Sequence, residues 1–225
     1  MDDHVRCTTM RRTGGGIASA PEVRTWTRAG TPRHARRRSS PVTPGSLLVA
    51  APGLGDPNFS RTVVYMIEHR PQGSLGVVLN RPGQAAVRDV LPRWAGLTSD
   101  PGTMFVGGPV EARTALCLAA LRTGETGRGL GGLMPVRPPV QLVDLDSDPA
   151  PLAQRLRGLR IFAGYSGWDA GQLGGEIARG DWYVVPGLPD DLLTTVYDQL
   201  WERVLRRQGV PLALLATFPR DPAWN

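Results

Sequence analysis

The chain has 225 residues, 41% of them hydrophobic, which is enough apolar material to build one domain with a core. No segment approaches the roughly 20 consecutive apolar residues of a membrane-spanning helix, so the sequence predicts no membrane span. All 26 basic residues are arginine, which excludes Schiff-base chemistry and the phosphate loops that depend on a lysine.

The net charge of +6 is concentrated at the N-terminus. Residues 1–44 contain nine of the 26 arginines and three of the 20 acidic residues, so residues 45–225 carry 17 of each and are neutral. The first segment also has only four Leu, Ile, Val or Phe residues, too few to offset the entropy of ordering it. We therefore expect a disordered, arginine-rich extension over 1–44 and one domain over 45–225.

Three strands are predicted at the start of this domain, at 45–50, 62–68 and 75–79. The turn-forming segment Pro71-Gln72-Gly73 joins the last two strands into a hairpin. Because side chains alternate between the two faces of a strand, four residues are predicted to share one face: Val63, Tyr65, Ile67 and His69.

Further along the chain, short helices are predicted at 87–94, 151–156 and 170–179, and strands at 104–106, 140–145, 160–164 and 182–185. Residues 115–121 form another apolar run, and 124–132 form a glycine-rich loop. The strongest helical pattern is at 190–208, where apolar residues recur at i, i+3, i+4 and i+7 through three turns. Several strands with few helices predict an α+β domain with a mostly antiparallel sheet.

The sequence predicts neither a metal nor a cofactor. Residues 45–225 contain one histidine, His69, and one cysteine, Cys117, whereas a structural zinc site needs four ligands. Residues 127–132 match G-x-G-x-x-G, but prolines follow them and no helix can open there. Two cysteines cannot form a disulfide framework, which favours a reducing cytoplasm.

Polar residues gather around the predicted hairpin, before its first strand and at both strand ends. Convergence of these segments would place them in one site, and they are Asp56, Asn58, Arg61, Glu68, His69, Asn80 and Arg81. Each also has a structural interpretation, since Asp and Asn form turns and Arg61 with Glu68 can form an ion pair.

A catalytic alternative stays open. Gly164-Tyr165-Ser166-Gly167-Trp168 approaches a nucleophile elbow, although that motif requires glycine where Trp168 stands. His69 is the one plausible base in the domain for Ser166 or for Cys117. A hydrolase or acyl-transfer enzyme would need a distance of about 3 Å between base and nucleophile.

The ordered motifs of residues 45–210 resemble the YqgE/AlgH family of bacterial proteins. They are Gly45-Ser46-Leu47-Leu48, Asp56-Pro57-Asn58-Phe59-x-Arg61, Glu68-His69, Gly76-Val77-Val78-Leu79-Asn80-Arg81-Pro82, Gly107-Gly108-Pro109-Val110 and Gly164-Tyr165-Ser166-Gly167-Trp168-x-x-Gly171-Gln172-Leu173-x-x-Glu176-Ile177. The resemblance implies a single α+β domain whose sheet bends into a partial barrel with a few flanking helices. It also implies a cytosolic protein, labelled a transcriptional regulator through one member's link to alginate synthesis, with no established catalytic residues.

We expect a cytoplasmic regulatory or binding protein that acts through a protein or small-molecule partner, since the neutral domain has no DNA-binding motif. A further alternative is non-specific nucleic-acid contact through residues 1–44. The expected site is one concave pocket with two walls. The first wall contains Asp56, Asn58, Arg61, His69, Asn80 and Arg81, and the second contains Tyr165, Trp168, Gln172 and Glu176. A helix beginning at Trp168 would place Trp168 and Gln172 on one face.

Overall fold

The computed structural model describes residues 6–7 and 41–219. Most of the arginine-rich extension lies outside these residues, so its disorder and the domain boundary at residue 45 stay predictions. The eleven strands of the described part are β1 (Arg6–Cys7), β2 (Ser46–Ala50), β3 (Val63–Arg70), β4 (Gly73–Val78), β5 (Pro82–Ala86), β6 (Thr103–Val106), β7 (Val110–Leu121), β8 (Leu133–Arg137), β9 (Val140–Val143), β10 (Leu156–Asp169) and β11 (Trp182–Pro186).

The helices of the described residues are short and flank the sheet. They are α1 (Val87–Val90), α2 (Ala150–Ala153), α3 (Gln172–Arg179), α4 (Pro189–Leu192), α5 (Leu200–Arg206) and α6 (Leu212–Leu215), with 3₁₀ turns at Pro92–Leu97 and Tyr197–Gln199. None of them is both long and apolar enough to cross a membrane.

The strands form one curled, mostly antiparallel sheet in the order β11-β2-β3-β4-β10-β7-β9-β8. The 14-residue strand β10 joins its two halves, because its last four residues pair with β4 and its earlier residues pair with β7. Strand β6 pairs in parallel with β10 and carries β5, and β1 pairs in parallel with β7. The chain is therefore a half-barrel of α+β class, as predicted.

Apolar side chains form one core on the face of the sheet covered by α4 and α5, and two smaller cores on other faces. The first core draws on both halves and includes Tyr65, Phe105, Phe162 and Trp201. The opposite face of the β2–β3–β4–β10–β11 half carries a core around two tryptophans, Trp168 and Trp182. Because a core covers each face of this half, β2 and β4 are buried along their whole length and β3 over its first five residues.

The predicted hairpin is confirmed, but the predicted face of His69 is wrong. Ile67 and Glu68 together oppose the single residue Leu75, which makes a β-bulge in β3. Because a bulge shifts the alternation by one residue, His69 lies on the face of Met66 and not on that of Tyr65.

The single helix predicted at 190–208 is also wrong. The chain forms α4, an irregular segment at 193–196, a 3₁₀ turn and α5. The irregular segment contains three β-branched residues in a row, Thr194, Thr195 and Val196, which lower helix propensity. The carbonyl of Thr194 accepts a hydrogen bond of 2.9 Å from Arg160 Nη2 on β10. The apolar stripe still packs on the core, so the pattern located the buried face and missed the break.

Three strands were not predicted, β1, β5 and β8, and the last two contain a proline. Both strands carry few β-branched or aromatic residues, which is why the pattern missed them. Strand β8 lies at one end of the sheet order, where a proline costs little. The helix expected at 170–179 is confirmed over Gln172–Arg179, with Gly180 in the left-handed conformation at its C-cap.

Candidate functional site

A groove lies where the β3–β4 hairpin meets the connection from β10 to α3. Its volume is about 560 Å³, and its lining combines charged, hydroxyl and apolar groups. The lining residues are His69, Arg70, Pro71, Ser74, Asp169, Gly171, Leu173 and Gly174.

Strand register brings the polar groups of the groove together. Ser74 of β4 lies opposite His69 of β3 on one side and opposite Trp168 of β10 on the other. Directly opposed residues project from the same face of a sheet, so all three share a face. The β-bulge in β3 is therefore what turns His69 toward the groove.

The His69 ring is fixed at one of its nitrogens. Nδ1 lies 2.7 Å from Ser74 Oγ, and either atom can be the donor. Ser74 is buried whereas His69 is exposed, so the hydroxyl anchors the ring from below. Arg70 beside it forms an ion pair with Glu68, and both side chains are exposed.

The wall behind the groove is built around the carboxylate of Glu176. One of its oxygens, Oε2, accepts hydrogen bonds of 2.8 Å from the indole Nε1 of Trp168 and of Trp182. The other, Oε1, accepts a bond of 3.0 Å from Gln172 Nε2, and Gln172 Oε1 accepts one from the amide N–H of Asp169. These bonds tie β10, α3 and β11 together directly beneath the groove.

Phe59 completes this wall as the third ring of a tryptophan cluster, which consists of Phe59, Trp168 and Trp182. The ring centroid of Phe59 lies 6.2 Å from that of Trp168 and 5.4 Å from that of Trp182, and the centroids of the two indoles are 6.0 Å apart. Edge-to-face and offset contacts at these distances stabilise a rigid apolar support. The loop before β3 is thereby fastened to the groove wall.

Three of the predicted residues lie in a separate set with two residues of α5. We call this set the Arg61 cluster, and it consists of Arg61, Asn80, Arg81, Trp201 and Glu202. Arg61 Nη2 donates to Glu202 Oε1 at 2.6 Å, and its Cζ lies 4.0 Å from the Trp201 ring centroid. Arg61 Nη1 also donates to the carbonyl of Phe218 at 3.1 Å. Arg61 therefore connects the loop before β3 to the C-terminal segment.

Asn80 and Arg81 hold the backbone of the same loop. The amide of Asn80 accepts from the N–H of Val63 and donates to the carbonyl of Arg61, both at 2.9 Å. Arg81 Nη2 donates to the carbonyl of Pro57 at 2.8 Å, and burial lowers the pKa of Arg81 while Asp56 opposes that shift. With these hydrogen bonds in place, the backbone of Arg61 has a φ of 54°, an uncommon value for a residue other than glycine.

The predicted pocket is thus divided between two places. His69, Trp168, Gln172 and Glu176 belong to the groove and its wall. Asp56 and Asn58 form an Asx turn, in which the N–H of Asn58 donates to Asp56 Oδ1 at 2.8 Å. Helix α3 begins at Gln172, so the premise of a helix from Trp168 is wrong, although Trp168 and Gln172 still meet at Glu176.

Tyr165 lies apart from both places. Its side chain is buried against the first core, and burial, with Glu111 nearby, raises its pKa. The sequence reasoning missed Ser74 and Asp169 as groove residues. Ser74 lies opposite Trp168, and Asp169 lies opposite Gly73, in the pairing of β4 with β10. This pairing is the signal that could have found both residues, and it is known only from the strand register.

The structure does not pair His69 with either predicted nucleophile. Ser166 is fully buried and its Oγ donates to the carbonyl of Gly107 at 3.1 Å. Cys117 is fully buried on β7 in the second of the smaller cores. The hydroxyl that contacts His69 is that of Ser74. Among the described residues, no three His, Cys, Asp or Glu side chains are grouped to hold a metal ion.

Sequence comparison finds relatives of this chain. The sequence model of a family described as AlgH-like matches residues 47–213. A UPF0301 protein of Mycolicibacterium smegmatis is 54% identical over 184 residues, which cover 82% of this chain and 92% of that protein. A UPF0301 protein of Rhodococcus opacus is 55% identical over 184 residues, with coverage of 82% and 92%.

Two solved structures resemble the fold. The crystal structure of a Corynebacterium diphtheriae protein has a TM-score of 0.77 and 33% identity, and the match covers 81% of this chain and 95% of that one. The solution structure of the AlgH protein from Pseudomonas aeruginosa has a TM-score of 0.59 and 27% identity, with coverage of 82% and 98%. The half-barrel is therefore shared over nearly the full length of both solved chains.

Proposed function

The chain belongs to the AlgH-like family, and from this premise we propose that it is a cytoplasmic regulatory protein that binds a small molecule in the groove beside His69. The observation that carries the proposal is the groove itself, whose volume of about 560 Å³ lies within the usual range for small-molecule sites. Its polar groups converge from three strands, and its wall is rigid.

The lining indicates the chemistry of the ligand. His69 and the exposed carboxylate of Asp169 can hydrogen-bond a polar group, and Leu173 with Pro71 offers an apolar surface. The proposed ligand therefore has a hydrogen-bonding head that contacts His69 and Asp169 and an apolar body that lies over Leu173. Regulation would follow from a change at this wall, because the loop before β3 and helix α3 both contact it.

Two adjacent glycines allow a direct test. Gly174 lines the groove, and a Cβ added there meets no other atom within 4 Å, so we expect Gly174→Leu to extend a side chain into the groove. Gly175 is the matched control, since its Cβ would make only an ordinary contact of 3.5 Å with Arg179. Both changes replace a helical glycine and should stabilise α3 similarly.

The experiment screens the full chain against a library of small metabolites by thermal shift. A ligand that raises the melting temperature of the wild type and of Gly175→Leu, but not that of Gly174→Leu, would support the groove. A ligand that stabilises all three proteins equally binds elsewhere. If the library contains no ligand, while a purified partner protein binds the wild type and not Gly174→Leu, the small-molecule proposal fails in favour of a protein partner.

A serine-type hydrolase is a second candidate function, favoured by the 2.7 Å contact between His69 and Ser74. In this reaction Ser74 Oγ would attack an ester carbonyl while His69 takes the hydroxyl proton and returns it to the leaving alkoxide. Water would then release the acyl group from Ser74. A fluorophosphonate probe should label the wild type and Ser166→Ala but not Ser74→Ala, and unlabelled wild type would exclude this candidate.

Regulation by direct reading of DNA is not part of the proposal, because residues 45–225 are neutral. Fluorescence anisotropy of labelled DNA tests this with the full chain and with a full-length variant in which Arg33, Arg36, Arg37 and Arg38 are changed to glutamine. Binding that survives physiological salt in the variant would make the domain a DNA-binding module. Binding that disappears with the arginines or with salt would be non-specific contact through residues 1–44.

A further inference from the structure

A second polar feature lies inside the half-barrel, far along β10 from the groove. Arg160 occupies the middle of this strand and is fully buried. Its neighbours Leu159 and Ile161 belong to another core, so alternation turns Arg160 toward the first core. A guanidinium in such a position requires partners, because burying an uncompensated charge is strongly unfavourable.

Arg160 has fewer partners than it has donors. Nη2 donates to the carbonyls of Asp100 at 3.0 Å and Thr194 at 2.9 Å, and Cζ lies 4.1 Å from the ring centroid of Phe105. Guanidinium has five N–H donors, so these bonds use two of them. Nε and Nη1 have no hydrogen-bond partner among the described residues, and no acidic side chain of that part forms an ion pair with Arg160.

Thr103 has an unsatisfied buried hydroxyl at the same level of the sheet. Phe105 of β6 lies opposite Phe162 of β10 in a parallel pair, and two residues back along each strand are Thr103 and Arg160. Residues two apart share a face, so both side chains project to the side of Phe105. Thr103 Oγ1 is buried and lacks a partner within the described part of the chain.

The charge of this position is preserved at neutral pH. Burial lowers the pKa of Arg160 to about 10, and Tyr197 nearby opposes that shift. The side chain is therefore still protonated at pH 7. Within the described residues, the contacts of this guanidinium are two carbonyl dipoles and the ring face of Phe105, which leave the attraction for an anion intact.

We propose that Arg160 and Thr103 form an internal site for a small monovalent anion, held by the Nε and Nη1 donors of Arg160 and by the Thr103 hydroxyl. Arg160 is buried and covered by the segments around Asp100 and Thr194, so the ligand class is that of formate or nitrate and excludes large organic acids. The site is independent of the groove and of the function proposed for it. Because Arg160 bonds both covering segments, a bound anion would also fasten them over the core.

The test measures the melting temperature of the full chain while sodium formate replaces sodium gluconate at constant ionic strength. Gluconate is too large to enter a buried site, and constant ionic strength holds screening fixed. A specific site predicts a melting temperature that rises with the logarithm of formate concentration once the site begins to fill. Arg160→Met should abolish the rise, and Arg157→Met should retain it, since Arg157 is half-exposed on the same strand.

Thr103→Val keeps the proposal testable if Arg160→Met does not fold. This nearly isosteric change removes one hydrogen bond to the anion and should weaken formate binding about tenfold, which matches the usual contribution of a hydrogen bond to a charged group. A wild type that does not respond to formate, or a response that is equal in wild type and Arg160→Met, would overturn the proposal. In either case, the Nε and Nη1 donors of Arg160 would bind water and not an anion.

Discussion

The groove and the Arg61 cluster use the same kinds of residue at the two ends of strand β3, and they differ in where the polar atoms find partners. In the Arg61 cluster, the guanidinium, the carboxamide of Asn80 and the carboxylate of Glu202 bond to each other or to backbone within the chain. At the groove, the ring of His69 is held at one nitrogen, and Asp169 projects its carboxylate into solvent. A polar residue within a family motif can thus be bonded within the chain or stay exposed at the groove.

The physical difference is one of burial. The side chains of Arg61 and Glu202 are only 19% and 11% exposed, so their attraction is weakly screened and each charge depends on the other. The Arg70–Glu68 pair beside the groove is 60% and 39% exposed, and solvent can replace either partner. We therefore expect substitutions in the Arg61 cluster to affect stability and those at the groove to affect binding.

The largest effect is expected from Arg61→Met. This change leaves the Glu202 carboxylate without its guanidinium, and loss of one partner of a buried pair costs about 3–5 kcal/mol of unfolding free energy. Urea unfolding of the two proteins measures the loss. Arg70→Met is the matched control and should lose no more than about 1 kcal/mol, as for other exposed pairs. Equal losses would remove the distinction between the two regions.

A smaller loss is expected from Glu176→Gln in the groove wall. The new amide places an NH₂ donor against an indole N–H or against the Gln172 amide, and a buried donor without an acceptor costs about 1–3 kcal/mol. The same substitution at Glu68, which is exposed, should change stability by less than about 0.5 kcal/mol. Tryptophan fluorescence reports the change directly, because two indoles bond to this carboxylate. An unaltered spectrum with unchanged stability would mean that the wall is not held by Glu176.

Tyr65, on strand β3 between the two regions, should make the stability of the fold sensitive to alkaline pH. Burial raises the pKa of Tyr65 well above the ordinary tyrosine value of about 10. The folded state thus holds this proton after the unfolded state has released it. The stability that the protonated Tyr65 contributes is therefore fully present below pH 10, and it is lost as the pH rises above 10. Melting temperatures from pH 8 to 11 should fall less steeply in Tyr65→Phe than in wild type, with Tyr197→Phe as control, and parallel curves would contradict this.

The smallest effect on stability is expected from Ser74→Ala. It removes one hydrogen bond to an exposed ring, so the loss should be about 1 kcal/mol or less. What should change is the His69 ring itself, whose Nδ1 resonance in ¹⁵N NMR depends on that bond. An unchanged resonance would show that Ser74 does not fix the ring in solution.

Much of the architecture could be predicted from local sequence. The hairpin of β3 and β4, the strand at 182–185 and helix α3 with its glycine stop all follow from alternation and turn chemistry. The unpredicted strands β5 and β8 contain prolines and few β-branched residues, and only their pairing partners make them strands. At the break in the 190–208 helix, the carbonyl of Thr194 bonds to Arg160 of β10, and this contact between distant segments has no signal in the local sequence.

The candidate site was predicted less completely, for a related reason. The motifs identified His69 and Glu176, but they also brought in residues that hold the loop. The side chains of Asp56 and Asn80 bond to its backbone, and the N–H of Asn58 is the donor to Asp56. Ser74 fell between the predicted turn at 71–73 and the predicted strand at 75–79, so no pattern marked it. A single extra residue in β3 decides which face carries His69, and no local pattern indicates where a bulge will form.

The sequence by itself determined the family, the α+β class, the neutral charge of the domain and the short-range elements, because these depend on composition and on neighbours within a few residues. Only the tertiary structure decided which polar residues bond within the chain and which stay exposed at the groove. It brought Ser74, His69 and Trp168 into register across three strands, and it enclosed Arg160 beside Thr103. These are long-range pairings, and they depend on sheet register and burial, which no local segment of the chain encodes alone.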